Sequence, residues 1–216
     1  MKHLILYDLD GTLVDTEEDI ARAVNYMLTQ IGSRELPAEV IRAFVGRGLH
    51  ELIAQTLETP DPDLVKQGVK YFEDYYLEHL TDSSLLYPGA SELLDHFKDR
   101  KQAVFTNKPN PFATDLLVRL DVARHFMAIV AGGSGYPKKP DPAGMLALMD
   151  REGVRPEETL FIGDSVIDIE TGRKAGVLTA VITHGFSEEE ELRAGSPDLL
   201  VQNFTELLQV AKQAGW

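Results

Sequence analysis

Short runs of continuously apolar, β-prone residues recur along the chain: LILY at 4–7, AVF at 103–105, AIVA at 128–131, LFIG at 160–163 and TAVIT at 179–183. Runs that are apolar at every position, rather than at alternate ones, suit strands buried on both faces. Helical patterns separate most of them. Strands alternating with helices predict an α/β fold, a parallel sheet with helices on both faces.

One stretch breaks the alternation. From about Asp15 to Tyr87 the pattern is helical, with no convincing strand. A first helix is expected to start at Thr16, with Asp19 three residues on as its capping-box partner. Ile20, Val24, Met27, Leu28 and Ile31 form one apolar stripe, and Gly32 ends it. PAEVIRAFV and LHELIAQTL read as two shorter helices around Gly46-Arg47-Gly48, and Asp63 to Leu80 as a longer one. The turn signal YPG at 87–89 then restores the alternation. The predicted organisation is a discontinuous Rossmann-like core, 1–14 plus 88–216, with a helical insertion at 15–87.

Composition narrows the function. Apolar content of 44% and charged content of 26% are ordinary for a soluble globular chain. No apolar run is long enough to cross a membrane, and LILY is too short for the core of a signal peptide, so the cytoplasm is the simplest location. There is no cysteine, which removes thiolate catalysis and zinc held on sulfur. The net charge of -14, from 21 basic and 35 acidic residues, argues against nucleic acid or an anionic membrane as partner. A small anionic substrate stays possible, because a metal or a lysine can reverse the field inside a cleft.

In parallel α/β sheets ligands bind beyond the carboxyl ends of the strands. The first strand is followed by Asp8 and Asp10, and the second by Thr106, Asn107 and Lys108. The loop after the third carries Lys138 and Lys139; the fourth is followed by Asp164 and Asp168. Carboxylates, a hydroxyl, an amide and ammonium groups would meet at one sheet edge. Phosphoryl transfer needs that set: one carboxylate as nucleophile, a second as acid and base, and donors for the phosphoryl oxygens. Oxygen ligands without sulfur suit a hard divalent cation, Mg²⁺, which lifts the repulsion between carboxylate and phosphate.

DLDGT at 8–12, the strand ending in Thr106-Asn107, Lys139 in KPDP and GDSVID at 163–168 resemble, in order, the four signatures of the haloacid dehalogenase superfamily of phosphohydrolases. The resemblance implies Asp8 as nucleophile and Asp10 as acid and base, with the Asp10 main-chain carbonyl on Mg²⁺. It implies Thr106 and Asn107 as phosphoryl ligands and Lys139 as the bridge between nucleophile and phosphate. Asp164 would ligate the metal beside Asp8 and Asp10, with Asp168 in support. Residues 15–87 match the family's mobile helical cap. Within the family, LVDTEEDIARAVNYML, FVGRG, KKPDP and GDSVIDIETGRKAG look most like phosphoglycolate phosphatases, which implies a small phosphorylated metabolite as substrate and 2-phosphoglycolate first.

Some residues carry two readings. Arg47, between glycines, is either a clamp for a substrate carboxylate or a surface arginine in a turn. Lys108 and Lys138 read as solvated neighbours of the working residues, and EEEE at 188–191 as a solvated helix face. Tyr7 stands where the family usually has Phe. His184, after the fifth strand, has no assigned role. Rival functions are a family phosphatase for a sugar phosphate, nucleotide or pyrophosphate, a phosphosugar mutase, and a non-catalytic binding module. Related mutases carry a histidine in the first cap helix, where this chain has Ile20; no signature of a degenerate site is present.

Overall fold

A computed structural model describes all 216 residues. Six parallel strands form the central sheet: β1 (Leu4–Tyr7), β4 (Lys101–Pro109), β5 (Ala128–Gly132), β6 (Thr159–Gly163), β7 (Leu178–Ile182) and β8 (Leu199–Val201). Their order is β5-β4-β1-β6-β7-β8. The chain builds outward from β1 through β4 to β5, then crosses back to build β6, β7 and β8 on the other side. The crevice at such a reversal lies at the carboxyl end of β1, flanked by β4 and β6.

Side-chain alternation explains why β1 must be apolar throughout. Ile5 and Tyr7 join one core with Val104, Leu160 and Ile162. Leu4 and Leu6 point the other way, with Ala103, Phe105 and Phe161, against Met145, Leu148 and Met149 of α7 (Ala143–Glu152). All four residues of β1 are buried. The Tyr7 hydroxyl, absent from a Phe, donates to Gln102 Oε1 at 2.7 Å, and Gln102 in turn donates to the Leu94 carbonyl at 3.1 Å, so the substitution buries no unpaired group.

Four helices lie between β2 (Val14–Asp15) and β3 (Leu85–Leu86): α1 (Glu17–Ile31), α2 (Ala38–Arg42), α3 (Leu49–Thr56) and α4 (Pro62–Tyr76). β2 and β3 pair antiparallel, so the chain leaves and rejoins the sheet domain through one two-stranded ribbon. The stripe Ile20, Val24, Met27 and Leu28 is buried, and Gly32 ends α1 in the left-handed region at φ 81°. The expected capping box at the start of α1 is not formed. Thr16 makes no cap hydrogen bond and donates instead to Asp10 Oδ1 at 2.8 Å. Asp19 turns across the ribbon, where its carboxylate accepts from Ser83 N, Ser84 N and Ser84 Oγ at 2.7–3.0 Å. Three donors held by a buried carboxylate outcompete a single helix-terminus N–H.

The remaining helices are α5 (Ala90–His96), α6 (Phe112–Arg119), α8 (Val166–Ala175), α9 (Glu189–Gly195) and α10 (Phe204–Ala214). The acidic run at 188–191 is exposed at the start of α9, where the helix dipole favours it. Three strands were not foreseen: β8, three residues long, and the two-residue β2 and β3.

Candidate active site

The first strand ends into a tight turn. Asp8 N still donates to the Ile162 carbonyl of β6 at 2.9 Å, which fixes the backbone of Asp8 to the sheet. The chain then folds back, with Thr12, Leu13 and Val14 all donating to the Leu9 carbonyl. Gly11 sits at φ 77°, and a Cβ there would fall 2.4 Å from Asp164 Oδ2. The turn needs glycine for both reasons: backbone hand and close approach to Asp164. Gly185, on the loop after β7, is equally confined, since its Cβ would lie 2.3 Å from the same carboxylate.

Asp8, Asp164 and Asp168 converge, offering oxygen atoms within 4.8 Å of one another, and all three are buried. The Lys139 ammonium lies 2.8 Å from Asp8 Oδ1 and 2.7 Å from Asp168 Oδ1. It meets Asp8 off the hydrogen-bond direction, which leaves Asp8 Oδ1 buried without a directed donor. Burial pushes the Asp8 carboxyl up to about 6, against the pull of Lys139 and with the push of Asp168. Burial also drives Asp164 well above the carboxylate range, and the carboxylates of Asp168 and Asp8 add to it. For Lys139 burial works downward, yet Asp168 and Asp8 outweigh it and hold the ammonium above its ordinary value.

The members of this cluster are tied down differently. Asp168 has both oxygens engaged: Oδ1 by Lys139, and Oδ2 by Asp164 N, Ser165 N and Ser165 Oγ at 2.6–3.2 Å. It therefore anchors Lys139 and shapes the turn into α8, whose capping box it also completes with Ser165. Asp164 accepts one bond per oxygen, from Thr12 Oγ1 at 2.6 Å and Phe186 N at 2.8 Å, and keeps lone pairs on each. An under-coordinated Asp8 oxygen, a partly free Asp164 and no nitrogen or sulfur ligand fit a hard cation such as Mg²⁺.

Asp10 faces another set. Thr16 Oγ1 and the Lys108 ammonium both reach its Oδ1 at 2.8 Å, and Lys108 also donates to Tyr76 Oη at 2.8 Å. Lys108 was expected to be solvated; it is 7% exposed. Tyr76, thirty-two positions earlier on α4, covers it and supplies a partner. Burial alone would lower the Lys108 pKa, but Asp10 and Tyr76 raise it past its ordinary value. Lys138 is exposed, as expected, beside Gly48.

Thr106 is buried at the end of β4, and its hydroxyl accepts from Lys108 N at 3.2 Å, which turns its own O–H to other acceptors. Asn107 differs from the expectation that its amide faces a phosphoryl group. Its Nδ2 donates to the carbonyls of Gly46 at 2.9 Å and Lys139 at 3.0 Å, and its Oδ1 accepts from Lys139 N at 2.8 Å. The side chain is fully committed to holding the Gly46 turn and the Lys139 loop, leaving the main chain to meet a ligand. His184 Nε2 donates to the Thr12 carbonyl at 3.1 Å while its ring stacks on Tyr87 at 3.9 Å, so it braces the turn that carries Asp8 and Asp10. Arg47 is exposed, with no ion pair, on the turn whose glycines line the cavity.

That cavity, about 50 Å³, lies between the helical unit and the sheet. Asp8, Asp10, Thr106, Asn107 and Lys108 floor it, and Ile20, Leu52 and Phe72 are among its apolar walls. Sequence reasoning missed Thr12, Thr16, Ser165 and Tyr76. Thr12, inside DLDGT, and Ser165, inside GDSVID, carried a local signal.

Comparison with known proteins agrees with this geometry. Residues 5–182 match the family described as haloacid dehalogenase-like hydrolase, and the chain belongs to that family. It is 33% identical to a phosphoglycolate phosphatase of Pseudomonas putida, over 96% of this chain and 79% of that one. A phosphoglycolate phosphatase of Vibrio parahaemolyticus is 32% identical, covering 96% and 95% of the two chains. Among solved structures, a predicted phosphoglycolate phosphatase from Haemophilus somnus superposes with a TM-score of 0.92 at 28% identity, over 97% of this chain and 98% of that one. CbbY from Rhodobacter sphaeroides, solved with phosphate, gives 0.83 at 26%, over 96% of each chain. The protein is a phosphatase, a phosphoric monoester hydrolase.

Proposed function

We propose that the protein hydrolyses small phosphorylated metabolites, 2-phosphoglycolate first, through a phosphoryl group carried on Asp8. The observation that carries this reading is the Asp8 carboxylate: buried, lacking a directed donor on Oδ1, and set against Lys139 and Asp164. A carboxylate oxygen of Asp8 attacks phosphorus, and the bond from phosphorus to the ester oxygen breaks. Asp10 gives the departing oxygen its proton. Asp10 then takes a proton from a water whose oxygen attacks the same phosphorus, releasing inorganic phosphate and restoring the Asp8 carboxylate. Thr106, the main chain at Asn107, and Lys139 stabilise the phosphoryl oxygens. Asp8, Asp164 and the Asp10 carbonyl would hold Mg²⁺, with Asp168 in support. The cation would supply charge neutralisation between phosphate and carboxylate. The helical unit at 15–87 acts as a cap that keeps bulk water from the acyl phosphate.

The names of the relatives support 2-phosphoglycolate. Ile20 in the cavity wall offers no proton-transfer group, which favours hydrolysis over a mutase. The test is phosphate release from a panel of phosphomonoesters with and without Mg²⁺, compared by kcat/KM. Phosphoglycolate should lead. A flat panel would remove that substrate, and full activity in Asp8→Asn would remove the mechanism.

A further inference from the structure

Lys108 is the one basic residue lining the cavity. Its ammonium lies 2.8 Å from Asp10 Oδ1, 3.2 Å from Asp10 Oδ2 and 2.8 Å from Tyr76 Oη, and 4.7 Å from the centre of the Tyr76 ring. The two buried lysines near Asp8 and Asp10 therefore do different work. Lys139 is locked between Asp8 and Asp168 beside the phosphoryl position. Lys108 is directed at the side where the rest of the substrate must lie.

Asp10 cannot serve both as the lasting partner of Lys108 and as the proton carrier at the ester oxygen. If Asp10 turns to that oxygen, a buried ammonium loses its counter-charge, which is costly in a site of low dielectric. A substrate carboxylate removes the conflict by taking the place of Asp10. We propose that Lys108 and the Tyr76 hydroxyl form the recognition site for a carboxylate on the leaving-group side of the substrate, and that its arrival frees Asp10 for catalysis. This rests on the phosphatase reading above and deepens it.

The geometry also fits the size of the ligand. Asp8 and Lys108 line the same small cavity, which favours a short acid. The walls around it are apolar and provide no second cation. Tyr76 comes from the cap and Lys108 from the sheet, so a carboxylate held by both also ties the cap shut. An uncharged ester leaves Asp10 paired with Lys108, and discrimination then appears in kcat as well as KM.

The test compares 2-phosphoglycolate with ethyl phosphate, which matches it in length and lacks the charge. Wild-type protein should favour 2-phosphoglycolate by at least 10- to 100-fold in kcat/KM, roughly the worth of a hydrogen-bonded charge. Lys108→Met should bring that ratio to within a few-fold of one, and Tyr76→Phe, which keeps the packing, should lower it by a smaller factor. Melting curves establish that both variants fold. Calorimetric binding of the two esters to Asp8→Asn, with and without Lys108→Met, reads the same ratio without turnover. Loss of hydrolysis with a retained, Lys108-dependent binding preference would overturn the catalytic reading alone. A preference that survives Lys108→Met would overturn the carboxylate site. So would equal slowing of both esters, or a preference that collapses in Arg47→Ala instead.

Discussion

Asp8→Asn should abolish activity and, in the metal-free protein, raise stability. Asp8 is 7% exposed, and burial pushes its carboxyl from 3.8 up to about 6. At 1.36 kcal/mol per decade, holding it ionised at pH 7 costs the folded state about 3 kcal/mol. Asparagine keeps the shape and removes the charge. It also gives up the attraction of Lys139, but that lysine retains Asp168 at 2.7 Å. A net gain of about 1–3 kcal/mol follows, or roughly 3–10 °C in Tm for a chain of this size. Calorimetry in a chelating buffer checks it.

The sign with pH is fixed by the same shift. Between about pH 4 and pH 6 the folded Asp8 holds a proton that the unfolded chain has released. Metal-free wild-type stability therefore loses this contribution as pH rises through that window, and Asp8→Asn does not. The two melting temperatures should be closest near pH 4 and furthest apart by pH 7. Saturating Mg²⁺ should then raise the wild type by more than the variant, because a ligand bound only by the folded state stabilises it by mass action. An Asp8→Asn protein that melts at or below the wild type in chelator would refute the reasoning. An equal Mg²⁺ response in both would refute the assignment of Asp8 to the cation.

Other perturbations reach the frame around the site. Asp19→Ala strands the donors of Ser83 and Ser84 at the ribbon and should lower stability by about 3 kcal/mol, seen in urea melts, with Asp19→Asn milder. Gly11→Ala meets both a left-handed backbone and Asp164, so Mg²⁺ should bind about 10-fold or more weakly, measured by its effect on Tm. His184, kept below its ordinary pKa by burial, resists protonation when folded. Its contribution to stability is lost as pH falls below about 6.5, opposite in sign to Asp8, and His184→Gln should flatten that part of the profile.

What could be read from the sequence followed a physical boundary. The five long strands announced themselves because a strand buried on both faces has no freedom to be polar. Asp8, Thr106 and Asp164 could be placed at one edge because the ends of such strands meet there whatever lies between them. Strand β8 escaped because three residues carry too little pattern, and the β2–β3 ribbon because two carry none. The partners of polar side chains were lost for a different reason. Asp19 has the spacing of a capping residue, yet its acceptor oxygens go to Ser83 and Ser84, more than sixty positions away. Asn107 looked like a ligand donor and is a clasp between two loops.

Lys108 shows the same failure at its most consequential. A lysine next to Thr106 and Asn107 at a strand end reads as solvated, since burying an ammonium is costly and nothing local offsets it. The offset arrives from Asp10, ninety-eight positions earlier, and from Tyr76 on a helix of the inserted unit. A buried cation with distant partners is invisible to periodicity because its cause is tertiary. Such a group also marks chemistry rather than stability, since an apolar residue could fill the same space without needing either partner. The ion pair between Lys108 and Asp10 is thus better explained by what each must contact during turnover than by what the pair contributes to the fold.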